Sequence, residues 1–216
     1  MSYIIQLTMS MLDGIKYTVG LFGITLLLSM PIGLILCFVR SGKNKVLSSV
    51  VGAYVWLMRG TPLLLQLYFF CYGLTFLPFV GQYLVMGRFQ SACVAFVLNY
   101  AAYFCEIFRG GMLSVDTGQF EAAKVLGFSK WQANIRIIIP QMLKVSLPPI
   151  SNESITLVKD TALVTAIGIT EILYFAKSAV NRDVNVSAYI VAAAFFLALT
   201  YALTALFKYL ENKFSF

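Results

Sequence analysis

The chain has 216 residues, of which 60% are hydrophobic and only 12% are charged, and its formal net charge is +7. Since a soluble domain carries roughly a quarter charged residues, the composition excludes an ordinary water-soluble protein and predicts that bilayer surrounds most of the chain. The chain contains no histidine, which excludes serine–histidine and cysteine–histidine nucleophiles and removes the commonest metal ligand. Its four cysteines lack metal-ligand spacing and are interpreted as plain thiols, so no metal site is expected.

The first predicted span covers residues 15–39, where the only charge, Lys16, stands at the edge. About 20 apolar residues are enough to cross a bilayer. Residues 3–12 are apolar but too short to span, so we expect them to lie at the membrane interface. A basic turn, 40–45, follows the span. No cleaved signal peptide is expected, because no basic region precedes the first apolar run.

Residues 46–77 are too long for one straight span. Gly60, Thr61 and Pro62 interrupt them and should break a helix, so we expect a short segment before Arg59 and a spanning part over 62–77. The Arg59 side chain could simply reach the lipid headgroups.

Three further spans are predicted in the rest of the chain, over residues 89–108, 147–166 and 187–206. The fourth span, 147–166, is polar for a membrane helix. Residues 168–186 between the fourth and fifth spans contain several charges and are expected to form a partly structured connection.

The polar stretch 121–140 lies between very apolar segments. Helix formers fill 121–126, and Gly127 supplies the residue that most readily leaves helical geometry. Ser129 is placed to cap a second helix, and Pro140 is expected to stop it. The stretch therefore predicts a compact helix-turn-helix on the membrane surface that a partner protein could grip.

This stretch closely resembles the EAA loop of ABC importer permeases, whose pattern is E-A-A, three residues, G, nine residues, I-x-L-P. The matching residues are Glu121, Ala122, Ala123, Gly127, Ile137 and Pro140. Ile139 departs from the usual leucine. Residues 102–111 and 157–163 resemble the polar amino-acid branch of these permeases, with Ala162 where serine is common.

The resemblance implies an all-α, MetI-like fold with five transmembrane helices, in a single permease domain over residues 1–216 whose EAA loop is about 112–142. It implies a second permease chain, ATP-binding subunits and an extracytoplasmic amino-acid-binding protein as partners. No G-x-x-x-x-G-K-[ST] motif occurs, so no cofactor is expected here, and ATP and Mg²⁺ should bind the partner ATPase. The residues expected to couple to that ATPase are Glu121, Ala122, Ala123, Gly127 and Pro140. Glu121 is also expected to form a salt bridge or cap within the loop.

The basic residues predict the orientation of five spans in the cell membrane. If the EAA loop is inside, ten basic residues lie inside: Arg40, Lys43, Lys45, Arg109, Lys124, Lys130, Arg136, Lys144, Lys208 and Lys213. Four lie outside: Lys16, Arg88, Lys177 and Arg182. The positive-inside rule then places the N-terminus outside and the C-terminus in the cytoplasm of a prokaryotic cell.

Charges within spans are costly and need a partner or a use. Glu153 and Asp160 are two helical turns apart, so both carboxylates should face one side about 10 Å apart. Lys159 stands about 100° round the helix and faces elsewhere. Glu106 has Arg109 one turn on, so an ion pair between them is expected.

We therefore expect an acidic translocation path that favours a cationic amino acid such as arginine, lysine or histidine. Its substrate-contacting residues are predicted to be Glu153, Asp160, Asn99, Tyr100 and Thr156. Alternatively, Asp160 and Lys159 are structural and pair with another helix or subunit.

The same class of transporter carrying glutamine or another polar amino acid is the main alternative function. An enzyme is not expected, and an ion-coupled secondary transporter is remote, because no internal repeat is visible.

Overall fold

A computed structural model describes residues 3–79 and 81–214, where every regular element is helical. The α-helices are α1 (Tyr3–Arg40), α2 (Lys45–Gly60), α3 (Leu63–Cys71), α4 (Arg88–Leu113), α5 (Thr117–Val125), α6 (Lys130–Ala133), α7 (Ile139–Asp160), α8 (Ile172–Asp183) and α9 (Ser187–Phe214). Short 3-10 turns cover Gly73–Phe76, Gly81–Tyr83 and Thr161–Ile167, and a π-helical turn, Asn134–Ile138, joins α6 to α7. The all-α prediction is confirmed.

Helix α4 lies at the centre of the fold and packs against α1, α2, α3 and α7. Its aromatic residues at four-residue spacing, Phe96, Tyr100, Phe104 and Phe108, are all buried. Consecutive ring centroids along this row are 6.3 to 6.5 Å apart, within the range of favourable aromatic contact. The spacing that places residues on one face of a helix therefore builds a continuous aromatic wall down the core.

Two glycines let helices approach this core closely. A Cβ at Gly33 of α1 would lie 2.7 Å from the Phe104 Cβ, and one at Gly111 of α4 would lie 2.9 Å from the Met142 carbonyl oxygen of α7. Both distances are too short for carbon, so these positions fix the α1–α4 and α4–α7 contacts.

Residues 3–12, which were expected at the membrane interface, form the first part of α1. Leu7 and Met11 are buried in a second apolar cluster with Ile172 and Ala176 of α8 and small residues of α9. Burying these side chains stabilises a continuous helix, which the length of the segment alone did not reveal. The connection expected over 168–186 is for the same reason largely a helix, α8.

Helix α3 ends at Cys71, whereas the sequence predicted a spanning part that continues to Leu77. The expected break before Pro62 is present, and α2 and α3 meet there at 103°. By length and hydropathy, three single helices of the described chain could cross a membrane: Tyr3–Arg40, Arg88–Leu113 and Ser187–Lys213. Two bent pairs, one of α2 with α3 and one of 130–167 with α8, would raise the number to five if each pair forms one span.

Candidate substrate cavity and coupling loop

A cavity of about 610 Å³ opens where the α2–α3 break faces α4 and the end of α7. We call it the acidic cavity, and it is lined by residues 59–64, Asn99, Tyr100, Tyr103, Glu153, Thr156, Asp160 and Leu163. The five residues predicted to contact substrate all line this one cavity, although they come from two helices far apart in sequence. Its volume falls within the range of small-ligand sites.

Helix α7 presents its polar residues to the cavity as the spacing predicts. Glu153, Thr156 and Asp160 face the acidic cavity, whereas Lys159 is exposed and does not line it. Leu157, four positions after Glu153, is fully buried. One face of α7 therefore packs while its neighbouring face carries the carboxylates.

Several polar groups of the cavity wall are held by other helices. The Tyr100 hydroxyl of α4 donates to the Asp160 carboxylate at 2.8 Å, so Asp160 is paired to another helix, as the structural alternative anticipates. The Asn99 amide donates to the Met58 carbonyl and to the Gln66 Oε1, both at 3.0 Å. These two bonds tie α4 to both sides of the α2–α3 break.

Glu153 differs from these residues because its carboxylate lacks a hydrogen-bond or ion-pair partner within residues 3–79 and 81–214. Its side chain is half-buried in the wall of the acidic cavity. An ionised carboxylate in such a place is costly unless water or a cation satisfies it. Glu153 is therefore the cavity group best placed to bind an added positive charge.

Arg59 lines the cavity, whereas the sequence alone was equally consistent with a side chain that reaches the lipid headgroups. Its guanidinium lies 5.3 Å from the centroid of the Tyr103 ring and 3.8 Å from the Glu106 carboxylate. The residue lines the acidic cavity together with Glu153. The cavity therefore offers both signs of charge. In the sequence, the position of Arg59 just before the Gly-Thr-Pro break was the available signal that this residue lies at the cavity.

Glu106 lies behind this wall and pairs with three arginines. The Arg109 guanidinium donates to it at 2.8 Å, which confirms the predicted pair one turn apart. Arg40 at the end of α1 also forms an ion pair with Glu106, and Arg59 approaches from α2. Glu106 thus joins the ends of α1 and α2 to α4, a cluster that no local spacing predicts.

The turn of the EAA loop is set by local residues. Gly127 has φ +76°, a conformation that residues with a Cβ rarely adopt. The Phe128 N–H donates to the Ala123 carbonyl at 3.0 Å, and the Gly127 N–H donates to the Lys124 carbonyl at 3.1 Å. This pair of bonds is the Schellman motif that ends a helix, so α5 stops where the sequence predicts.

The second helix of the loop begins as predicted but does not end as predicted. The Ser129 hydroxyl accepts from the Gln132 N–H at 3.3 Å, and the Gln132 side chain accepts from the Ser129 N–H at 2.9 Å, which is a capping box. Pro140, expected as the stop, instead lies in the first turn of α7 directly after the π-helical turn. The π-helical turn just before it already departs from the i→i−4 hydrogen-bond pattern, so a residue without an N–H is tolerated at this point. The loop therefore runs without a break into α7.

The loop exposes several large apolar side chains among its polar residues. Val125, Leu126 and Trp131 are 87%, 72% and 74% exposed, whereas Ala123 is buried. Glu121 is also exposed, but within the described chain it makes no hydrogen bond or ion pair, so its expected contact inside the loop is absent. The cap of α5 comes from Asp116 instead, whose carboxylate accepts from the Gly118 N–H at 2.6 Å.

Residues 29–216 match the family described as "Binding-protein-dependent transport system inner membrane component". The L-cystine transport system permease protein TcyB of Bacillus subtilis is 36% identical over 202 residues, which are 93% of this chain and 84% of that protein. Further relatives are named as permeases for nopaline in Agrobacterium fabrum, arginine in Corynebacterium glutamicum and glutamine in Escherichia coli. Their names do not agree on one substrate.

Solved structures show the same architecture. A chain in the crystal structure of an amino acid ABC transporter with histidines has a TM-score of 0.85 at 29% identity, covering 97% of this chain and 96% of that one. A chain of the inward facing MetNI methionine ABC transporter has a TM-score of 0.82 and covers 100% of both chains. At 18% identity this second likeness shows the fold alone.

The chain therefore belongs to the family of binding-protein-dependent transport system inner membrane components, the permeases of ABC importers. Within it, the assignment to the amino-acid permeases that residues 102–111 and 157–163 suggested is confirmed, as is the MetI-like fold. The chain is accordingly a multi-pass membrane transport component and not an enzyme.

Proposed function

We propose that the chain is a single transmembrane domain, 1–216, that carries a cationic amino acid through an ATP-driven importer and binds it in the acidic cavity. The observation that supports this most is the Glu153 carboxylate, which faces the cavity without a partner in the described chain. A guanidinium, ammonium or imidazolium side chain would satisfy it and remove the cost of burying an unpaired charge.

The remaining cavity residues fit the rest of an amino acid. Arg59 can attract the α-carboxylate of a substrate whose side chain lies at Glu153. Thr156 and Asn99 line the space between the charged groups, although the Asn99 amide already donates to two acceptors. Asp160 adds negative charge to the wall while Tyr100 holds its carboxylate in place.

The EAA loop fits the role of a coupling element, with Glu121, Ala122, Ala123, Gly127 and Pro140 as its key residues. Its exposed apolar side chains suit a groove on an ATP-binding subunit, because burying them there removes apolar surface from water. Since the loop continues directly into α7, a movement of the loop would reach Glu153 through a continuous helix. Two such permease chains, identical or paralogous, would then alternate between inward- and outward-open shapes.

The loop and the C-terminus would lie in the cytoplasm with the ATP-binding subunits, which bind ATP and Mg²⁺. The N-terminus and the amino-acid-binding protein would lie outside. The distribution of basic residues supports this orientation.

The test is the substitution Glu153→Gln in the assembled transporter. A hydrogen bond to a charged group contributes about 1.5–3 kcal/mol, so the arginine concentration for half-maximal ATPase stimulation should rise about tenfold or more. Glutamine keeps the size and polarity of the side chain and removes only its charge. Glu211→Gln is the matched control, since Glu211 does not line the cavity, and it should leave arginine stimulation unchanged.

Unchanged arginine-stimulated ATPase activity and uptake in the Glu153→Gln variant would show that Glu153 does not bind the substrate. One different outcome favours the main alternative. If glutamine rather than arginine stimulates the wild-type transporter, the substrate is a neutral polar amino acid. The transporter would then have no preference for cationic amino acids.

A further inference from the structure

A second large cavity lies against a different face of α7 from the acidic cavity. We call it the apolar crevice, and it has a volume of about 580 Å³ between α1, α7 and α9. It is lined by Leu26, Met30, Pro140, Leu143, Lys144, Leu147, Ile150, Leu206, Phe207 and Leu210. All lining residues but Lys144 are apolar, so the crevice suits a hydrocarbon ligand and not an amino acid.

The two cavities use different faces of the same helix. Leu143, Leu147 and Ile150 recur at the spacing of one helical face, and this face stands about a third of a turn from the one that carries Glu153 and Asp160. No residue lines both cavities. The crevice is therefore a separate site and not an extension of the substrate cavity.

The crevice lies at the end of the bundle nearest the EAA loop. It uses the C-terminal half of α1, the beginning of α7 and the C-terminal half of α9. The end of α1 is fixed at this level because Arg40 pairs with Glu106 near the end of α4, just before the loop. In the proposed orientation, this end faces the cytoplasmic leaflet.

The charges around the crevice are mainly positive. Lys144 is part of its wall. On α9, Lys213 is exposed and stands two helical turns after the crevice residue Leu206, on the same face, whereas Lys208 points away from the crevice and Glu211 is the nearby acidic residue. Basic residues between transmembrane helices on the cytoplasmic side attract anionic lipid headgroups.

The geometry points to a binding site for an anionic phospholipid, with one acyl chain in the apolar crevice and its phosphate near Lys144 and Lys213. The acyl chain is favoured because each methylene removed from water contributes to binding. Pro140 in the crevice wall begins the part of α7 that follows the EAA loop and its π-helical turn. A lipid bound here would therefore stiffen the connection through which the loop moves α7.

The test uses the assembled transporter, purified and mixed with phosphatidylglycerol or phosphatidylcholine, with retained lipid counted by native mass spectrometry. Leu147→Trp fills the crevice and Lys144→Glu reverses its charge, so each should reduce retained phosphatidylglycerol about fivefold or more. Lys144→Gln should give a smaller loss in the same direction. The matched controls are Leu197→Trp on an exposed part of α9 and Lys43→Glu in the α1–α2 turn, and both should retain lipid like the wild type.

Equal retention of phosphatidylcholine, or equal retention by all variants, would mean ordinary surrounding lipid and would overturn the proposal. A cross-link from cysteine at position 147 to a second permease chain would show that protein fills the crevice, which also overturns it. Because lipid retention is measured without substrate or ATP, the result is independent of whether the acidic cavity binds a cationic amino acid.

Discussion

The EAA loop and the acidic cavity are built in opposite ways. The loop takes its shape from neighbouring residues, since Gly127 turns the chain and the hydrogen bonds that fix it span a few positions. The cavity takes its shape from contacts across long stretches of chain, such as Tyr100 with Asp160 and Asn99 with Gln66. The loop also keeps its apolar side chains exposed, whereas the cavity pairs most of its polar groups internally.

The two regions therefore need partner molecules for different reasons. The backbone of the loop is fixed by its own hydrogen bonds, but its apolar side chains Val125, Leu126 and Trp131 remain exposed and need a partner protein to cover them. Asn99, Tyr100 and Asp160 of the cavity wall have hydrogen-bond partners within the protein, whereas the Glu153 carboxylate lacks one in the described chain. A substitution should therefore affect stability mainly in the cavity wall and coupling mainly in the loop.

Glu106→Ala should give the largest loss of stability, because it leaves the three guanidiniums of Arg40, Arg59 and Arg109 together without their shared carboxylate. Because the three arginines are 26% to 42% exposed and solvent screens them, the expected cost is about 1–3 kcal/mol, below that of a fully buried pair. Thermal unfolding of the purified transporter should show a clearly lower midpoint. Glu121→Ala in the exposed loop should change stability by less than about 0.5 kcal/mol, and an equal loss in both variants would contradict the contrast between the regions.

Gly127→Val should have a smaller effect on stability and a large effect on coupling. Space is available for the side chain, since nothing lies within 4 Å of the added Cβ, but the φ of +76° is strained for valine. The left-handed conformation costs about 1–2 kcal/mol for a residue with a Cβ. We expect ATP-driven uptake to fall sharply while the folded bundle remains.

Gly23→Val is the control for that substitution, because Gly23 lies within α1, also has open space around its Cβ, and has no positive φ. It should retain uptake. Full ATP-driven uptake by Gly127→Val would count heavily against a loop that moves as a rigid body with α7.

The sequence was informative where structure is local. The spacing of Glu153 and Asp160 predicted a shared face, and Gly127 and Ser129 predicted the turn and the cap of the loop. It failed where tertiary packing decides, since the pairing of Glu106 with Arg40 and the burial of α8 depend on distant residues. The continuation of α1 through residues 3–12 had a signal, because Leu7 and Met11 extend the buried stripe that Gly14 and later residues follow.

The smallest predicted effect separates the two carboxylates of the acidic cavity. Tyr100→Phe removes the hydroxyl that donates to Asp160, and the loss should be about 1.5 kcal/mol of stability, at the low end for a hydrogen bond to a charged group. If Asp160 is held mainly for structure, arginine stimulation of the ATPase should shift by less than about twofold. A shift as large as that of Glu153→Gln would show that the Tyr100–Asp160 pair also contacts the substrate. The cavity would then bind the cation between two carboxylates two turns apart on α7, and its selectivity would depend on the spacing between them.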